Sequence, residues 1–275
     1  MSKTALVSGA SSGIGAATAL ALLDAGFEVF AGARRLDRLA PLAEKGARSL
    51  LLDLTDEASI VAAVETATGK SGRLDVLVNN AGYACCGALE DVPLAEARRQ
   101  FEVNVFGLAR LCQLGAPLMR AQRSGKIVNV SSMAGKFGEP FAAWYHASKF
   151  ALEGLSDCLR MELAPFGVDV ILIEPGMIRT AFVAFVKESL LKSSGASAYA
   201  EYARRHVAML ERGEASSVPS APEGVARTIV KAISARRPKA RYPTGGAARS
   251  MLFLRAVLPD RMFDRLMWRM SQSFG

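Results

Sequence analysis

The chain has 275 residues, of which 51% are apolar and 22% charged, with a formal net charge of +8. That is enough apolar material for one large core, and no run approaches the roughly 18 apolar residues that a membrane span needs. Four cysteines (Cys85, Cys86, Cys112, Cys158) and two histidines (His146, His206) show no metal-ligand spacing, so reduced thiols are expected and a disulfide framework or catalytic metal is not.

Thr4-Ala5-Leu6-Val7 predicts a strand over 4–8, reached without a signal peptide, so a cytoplasmic chain is expected. Ser8-Gly9-Ala10-Ser11-Ser12-Gly13-Ile14-Gly15 then opens a helix of Ala and Leu. Such a turn suits a pyrophosphate at the helix N-terminus. Gly9 permits the tight turn, Gly13 lets the phosphates approach, and Gly15 brings the helix close to the sheet, with Ser11, Ser12 and Ile14 alongside. The second strand, over 27–33, ends at Arg34-Arg35. An acidic residue there would hold a ribose 2′-hydroxyl; two guanidiniums suit a 2′-phosphate and predict NADP(H). The alternative is a solvated turn with Asp37 as partner.

Further strands are predicted over 48–52, 74–78, 126–131 and 168–174, each an apolar run without polar alternation and separated by helical patterns. These runs predict an α/β fold: a doubly wound, Rossmann-like parallel sheet covered on both faces, with ligands at the carboxyl ends of its strands. Asn79, Ser132 and Pro175 follow their strands directly, so one edge gathers them. Tyr145 and Lys149 stand four residues apart on a predicted helix and share a face. A nearby ammonium favours a phenolate, so Lys149 is expected to lower the pKa of Tyr145 toward the range useful in acid–base work. The same pair on an unrelated helix would only be solvated.

Together with the glycine turn, Ser132, Tyr145 and Lys149 in this order resemble the short-chain dehydrogenase/reductase family over residues 3–180. Asp53 with Leu54 matches the acidic border of its adenine pocket, and Asn79-Asn80-Ala81-Gly82 its turn beside the cofactor. Asn104 matches the fourth member of its catalytic tetrad. Pro175, Gly176, Ile178 and Thr180 match its turn at the nicotinamide end. The resemblance implies that Tyr145 transfers the proton, Ser132 bonds the same oxygen, Lys149 also holds the nicotinamide ribose, and Asn104 positions a water linked to Lys149. Ser8 stands where the family more often has threonine.

Residues 181–221 occupy the position of the family's substrate lid, and Ser193–Ala198 and Gly213–Ser217 read as loops flanking a short helix. Residues 225–275 carry eleven basic and two acidic residues, so the positive charge belongs to the tail. Residues 1–245 are expected to form the catalytic domain and 246–275 a basic helical tail, with Met262, Phe263, Leu266, Met267 and Met270 on one face after a break at Pro259. That face is expected to pack on its own domain or a partner subunit; a contact with a membrane surface or closure over the site is the alternative. No nucleic-acid motif accompanies the charge. These readings lead to an NADP(H)-dependent oxidoreductase of ketones or aldehydes and alcohols, with an apolar small-molecule substrate, assembled as a homodimer or homotetramer. The alternatives are a 3-oxoacyl thioester reductase and a catalytically silent NADP-binding or membrane-associated sensor.

Overall fold

The computed structural model describes residues 2–69 and 72–272; Met1, Lys70, Ser71 and the last three residues of the expected tail, 273–275, lie outside the described residues. The strands β1 (Thr4–Ser8), β2 (Glu28–Ala33), β3 (Arg48–Leu51), β4 (Val76–Asn79), β5 (Gly125–Val130), β6 (Val168–Pro175) and β7 (Arg241–Thr244) form one parallel sheet in the order β3-β2-β1-β4-β5-β6-β7. Unalternating apolar strands belong in such a sheet because both faces are covered. In β1, Ala5 and Val7 enter a core with Ala19 and Leu22 of α1 (Gly13–Asp24) and Val225 and Ile229 of α9 (Pro222–Ser234). Leu6 points the other way, into a core with Ile60 of α3 (Glu57–Thr68), Leu111 of α5 (Leu108–Gln122) and Leu152 of α6 (Ala143–Leu163).

The strand order reverses between β1 and β4, which opens a crevice at their carboxyl ends. Ser8 ties the two strand ends together there. Its hydroxyl accepts from the backbone N–H of Asn80 at 3.0 Å and Ala81 at 3.2 Å. Asn80 in turn donates to the carbonyls of Ser8 and Gly9 at 3.1 and 3.2 Å.

The seventh strand escapes sequence reading because Arg241-Tyr242-Pro243-Thr244 has no apolar run and contains a proline, which a sheet tolerates only at its edge. It pairs with β6 and carries the chain to Gly246, whose carbonyl accepts from Met177 N at 2.9 Å. The turn after β6 is thereby braced from the carboxyl-terminal side.

The segment expected as a lid holds two helices, α7 (Phe182–Ser194) and α8 (Ala200–Ala215), rather than one short one. Its serine-rich stretch is not a loosely solvated loop: Ser194 and Ser197 both donate to Asp91 Oδ2 at 2.6 Å, and Ser194 Oγ accepts from Ala88 N at 2.9 Å. Beyond β7, the chain forms α10 (Ala248–Val257) and α11 (Asp260–Gln272), parted at Pro259. The stripe that α11 buries is Phe263, Met267 and Ser271, so the expected apolar face is rotated: Met262 and Met270 are 54% and 41% exposed. Phe263 and Met267 pack with Phe137 and Met251, and Ser271 Oγ lies 2.8 Å from His206 Nδ1 of α8.

Candidate active site

A cavity of about 920 Å³ runs along the carboxyl edge of the sheet, from Gly9 and Arg34 at one end to Tyr145, Phe182 and Leu210 at the other. At the first end the glycine turn is built as its residues dictate. Gly9 has φ +67°, and a Cβ on it would stand 2.7 Å from Ala81 Cα; one on Gly15 would stand 2.3 Å from Gly9 O. Gly13 opens α1, and a Cβ there would reach within 3.0 Å of Thr180 Cγ2. Ser12 precedes α1 without capping it by its side chain, and the first turn has no acidic residue. The helix therefore keeps its amides and positive end for an anion. Ser11 and Ile14 line the same cradle.

Arg34 and Arg35 are exposed on the cavity wall. Asp37, their alternative partner, pairs with Arg38 at 3.7 Å, and among the described residues neither Arg34 nor Arg35 makes a salt bridge. Asp53 and Leu54 face them. Burial opposes ionisation of Asp53, but its bonds from Thr55 N and Oγ1, at 2.9 and 2.8 Å, and the charges of Arg34 and Arg99 hold its pKa below the ordinary value. Arg99, on α4 (Leu94–Phe101), is a third cation at this end that sequence reading missed, since only the fold brings it to the second and third strands.

At the other end, α6 presents Tyr145 and Lys149 on one face, with Lys149 Nζ 5.8 Å from the centre of the Tyr145 ring. Lys149 is buried and donates to Val130 O at 2.9 Å. Ser132 begins the short helical turn Met133–Gly135; its hydroxyl accepts from Ala134 N at 3.1 Å, donates to Pro175 O at 3.4 Å and adjoins the Tyr145 phenol. The expected electrostatics need correction. Burial pushes Tyr145 up to about 12, the neighbouring Ser132 hydroxyl works against this, and Glu139 and Cys86 push further up. Burial also lowers Lys149 to about 8, partly offset by Glu153. Lys149 therefore does not bring the phenol toward neutrality: desolvation outweighs a cation whose own charge is weakened by the same burial.

Asn104 sits in a π-helical segment, Glu102–Gly107, between α4 and α5. Such segments are frequent at functional sites. Its amide donates to Tyr83 O at 2.9 Å and Ser148 Oγ at 3.0 Å, and its Oδ1 accepts from Tyr83 N at 3.1 Å. A Cβ on Gly82 would lie 3.1 Å from Asn104 Oδ1 and 3.8 Å from Lys149 Nζ, so glycine keeps side chains out from between them. Asn80, Ala81, Pro175, Gly176, Ile178 and Thr180 complete the wall. Sequence reading missed Tyr83, Phe137, Glu139, Phe182 and Phe185, which line the same cavity and carry no local motif.

A dinucleotide cradle running into a cavity that holds an adjoining serine and tyrosine defines a nicotinamide-dependent oxidoreductase. The family model for short chain dehydrogenases matches residues 3–190. The chain is 36% identical to a 3-ketodihydrosphingosine reductase of Bacteroides thetaiotaomicron over 262 residues, 94% of each chain. It is 37% identical to an NADPH-dependent 3-dehydrocapnine reductase of Ornithobacterium rhinotracheale over 281 residues, 96% of each. Among solved structures it is similar to a short-chain dehydrogenase from Streptomyces avermitilis, with TM-score 0.81 and 34% identity over 99% of this chain and 97% of that one. The chain belongs to the short-chain dehydrogenase/reductase family.

Proposed function

We propose that the chain uses NADPH to reduce the 3-oxo group of a long-chain 2-amino ketone. The two relatives named above share that substrate chemistry: each name denotes a 3-oxo compound with an amine on the neighbouring carbon and a long alkyl chain. The observation that carries the reading is the Tyr145 hydroxyl, beside Ser132, in a cavity walled by Phe137, Phe182, Phe185 and Leu210. Apolar walls suit an alkyl chain, while the few polar groups fix the reacting carbonyl.

When bound, the nicotinamide supplies the hydride. Tyr145, protonated at neutral pH because burial holds it at about 12, gives its proton to the carbonyl oxygen, which suits the reducing direction. Ser132 donates to the same oxygen as charge develops on it. The Lys149 ammonium stabilises the phenolate left behind and, by family likeness, holds the cofactor ribose. Asn104 fixes the backbone of Tyr83 and the Ser148 hydroxyl, and its Oδ1 shares with Lys149 the space kept clear by Gly82, where a water can link the ammonium to solvent. Arg34 and Arg35 select the 2′-phosphate.

The test is NADPH oxidation with a long-chain 2-amino-3-ketone and with a 3-oxoacyl thioester of equal length. Higher kcat/KM for the amino ketone is expected; a clear preference for the thioester would move the chain to the alternative reductase class.

A further inference from the structure

Between Ser132 and Tyr145 the chain crosses the substrate end of the cavity, and Glu139 stands midway along that crossing. Its loop is pinned on both sides. Phe137 is 2% exposed and packs with Met251, Phe263 and Met267. Phe141 is buried at φ +67°, a left-handed conformation that a phenylalanine holds only when its surroundings impose it. Its ring meets those of Tyr199 and His206 at 6.4 and 5.5 Å, and its carbonyl accepts from Gly87 N at 2.8 Å. The Glu139 side chain between these anchors is 32% exposed.

Among the described residues, four acidic side chains line the cavity: Asp53, Glu96, Glu139 and Glu214. Asp53 faces the arginines of the dinucleotide cradle, Glu96 shares α4 with Arg99, and Glu214 accepts from Lys187 Nζ at 2.7 Å. Glu139 is the one whose field reaches the reacting tyrosine. Among the described residues no lysine or arginine forms a salt bridge with it. Its basic neighbour is His146, whose Nε2 stands 3.7 Å away, is buried and has no hydrogen-bond partner. His146 Nδ1 is occupied by the carbonyls of Ala134, at 2.9 Å, and Phe137. Burial opposes ionisation of Glu139, yet its interaction with His146 and the more distant charge of His206 keep it below the ordinary carboxylate range. A carboxylate kept ionised thus lines the same cavity as the proton donor, with the two imidazoles of His146 and His206, and no lysine or arginine salt bridge among the described residues, to balance it.

Resting on the substrate reading above, we propose that Glu139 receives the ammonium group of the amino ketone and so fixes the neighbouring carbonyl against Tyr145 and Ser132. The ammonium takes the place of a permanent protein cation, and the rigid loop sets its position relative to the oxygen that is protonated. An amine on the carbon next to the carbonyl is then a recognition element, and a ketone without it loses one anchor.

The enzyme with NADPH is assayed on three ketones of one chain length: the 2-amino-3-ketone, its N-acetyl derivative and the ketone lacking nitrogen. In Glu139→Gln the kcat/KM ratio of the amino ketone to the nitrogen-free ketone falls about tenfold or more, mainly through KM, as expected for losing one charged contact. Glu139→Asp recovers part of it. An unchanged ratio, even with both rates reduced, makes Glu139 a structural partner of His146 and overturns the proposal. Should the variants fail to fold, inhibition of the wild-type enzyme by a long-chain alkylammonium and by the alkanol of equal length decides: about tenfold tighter inhibition by the amine supports the site, and equal inhibition refutes it. If the wild type reduces none of the three ketones but reduces another carbonyl compound, the substrate reading fails, and the same inhibitor pair, measured against that compound, judges Glu139 separately.

Discussion

Tyr145 and Ser132 show how far single residues were legible. Their order and the four-residue step to Lys149 pointed to a shared site, and the fold brings the two hydroxyls to one cavity wall. The sign of the tyrosine's shift was not legible, because desolvation depends on Phe182 and other distant chain closing over the ring. Replacing Tyr145 with Phe removes only the hydroxyl that gives the proton, so kcat should fall at least about 100-fold with the NADPH dissociation constant little changed, measured by fluorescence titration. Ser132→Ala should lower kcat more than Ser131→Ala. Ser131 is buried with its hydroxyl unpartnered, whereas Ser132 adjoins the phenol. The lowered pKa of Lys149 sets a pH limit. Its ammonium prevails below about 8 and is lost above it, so reduction should slow as pH rises through that value, while Tyr145 stays protonated. A pH–rate profile with its descending limb near 10.5, the ordinary lysine value, would show that Lys149 is not depressed.

At the scale of elements, the strands were readable because burial on both faces leaves unbroken apolar runs, and the glycine turn because its backbone geometry admits no side chain. Strand β7 and the two lid helices were not. β7 draws its place from pairing to β6, and the serines that close α7 act through bonds to Asp91 far away in sequence. The turn after β2 carries its own prediction. Arg34→Asp should raise KM for NADPH and improve use of NADH, since a carboxylate repels a phosphate and accepts from a ribose hydroxyl. Kinetics with both cofactors check this, and a wild-type preference for NADH would contradict the role given to Arg34 and Arg35. In α11, Phe263 is 2% exposed against Phe137, and Phe263→Ala should cost about 3–5 kcal/mol of stability in a denaturant titration. The rotated stripe of this helix was illegible because methionines on two faces fit either register.

Across the whole molecule, the surplus of positive charge lies in the carboxyl-terminal quarter, where α10 and α11 cover the loop that holds Glu139. No helix among the described residues is long and apolar enough to cross a membrane. Because Phe263 and Met267 are committed to the protein's own core, the full chain should not float with anionic vesicles at low salt. Salt-sensitive flotation would instead place the outward residues Phe253 and Trp268, with the tail arginines, on lipid. The cradle, the proton donor and the apolar walls share one cavity, and that continuity is what distinguishes a working reductase from a protein that merely binds the dinucleotide. Mixing the full chain with NADPH and excess long-chain 2-amino-3-ketone, and following the absorbance of the reduced nicotinamide, tests this most directly. Many turnovers are expected, with one alcohol formed for each NADPH consumed. Tight binding of NADPH without ketone-dependent oxidation, for this ketone and for simple ketones and aldehydes alike, would contradict it.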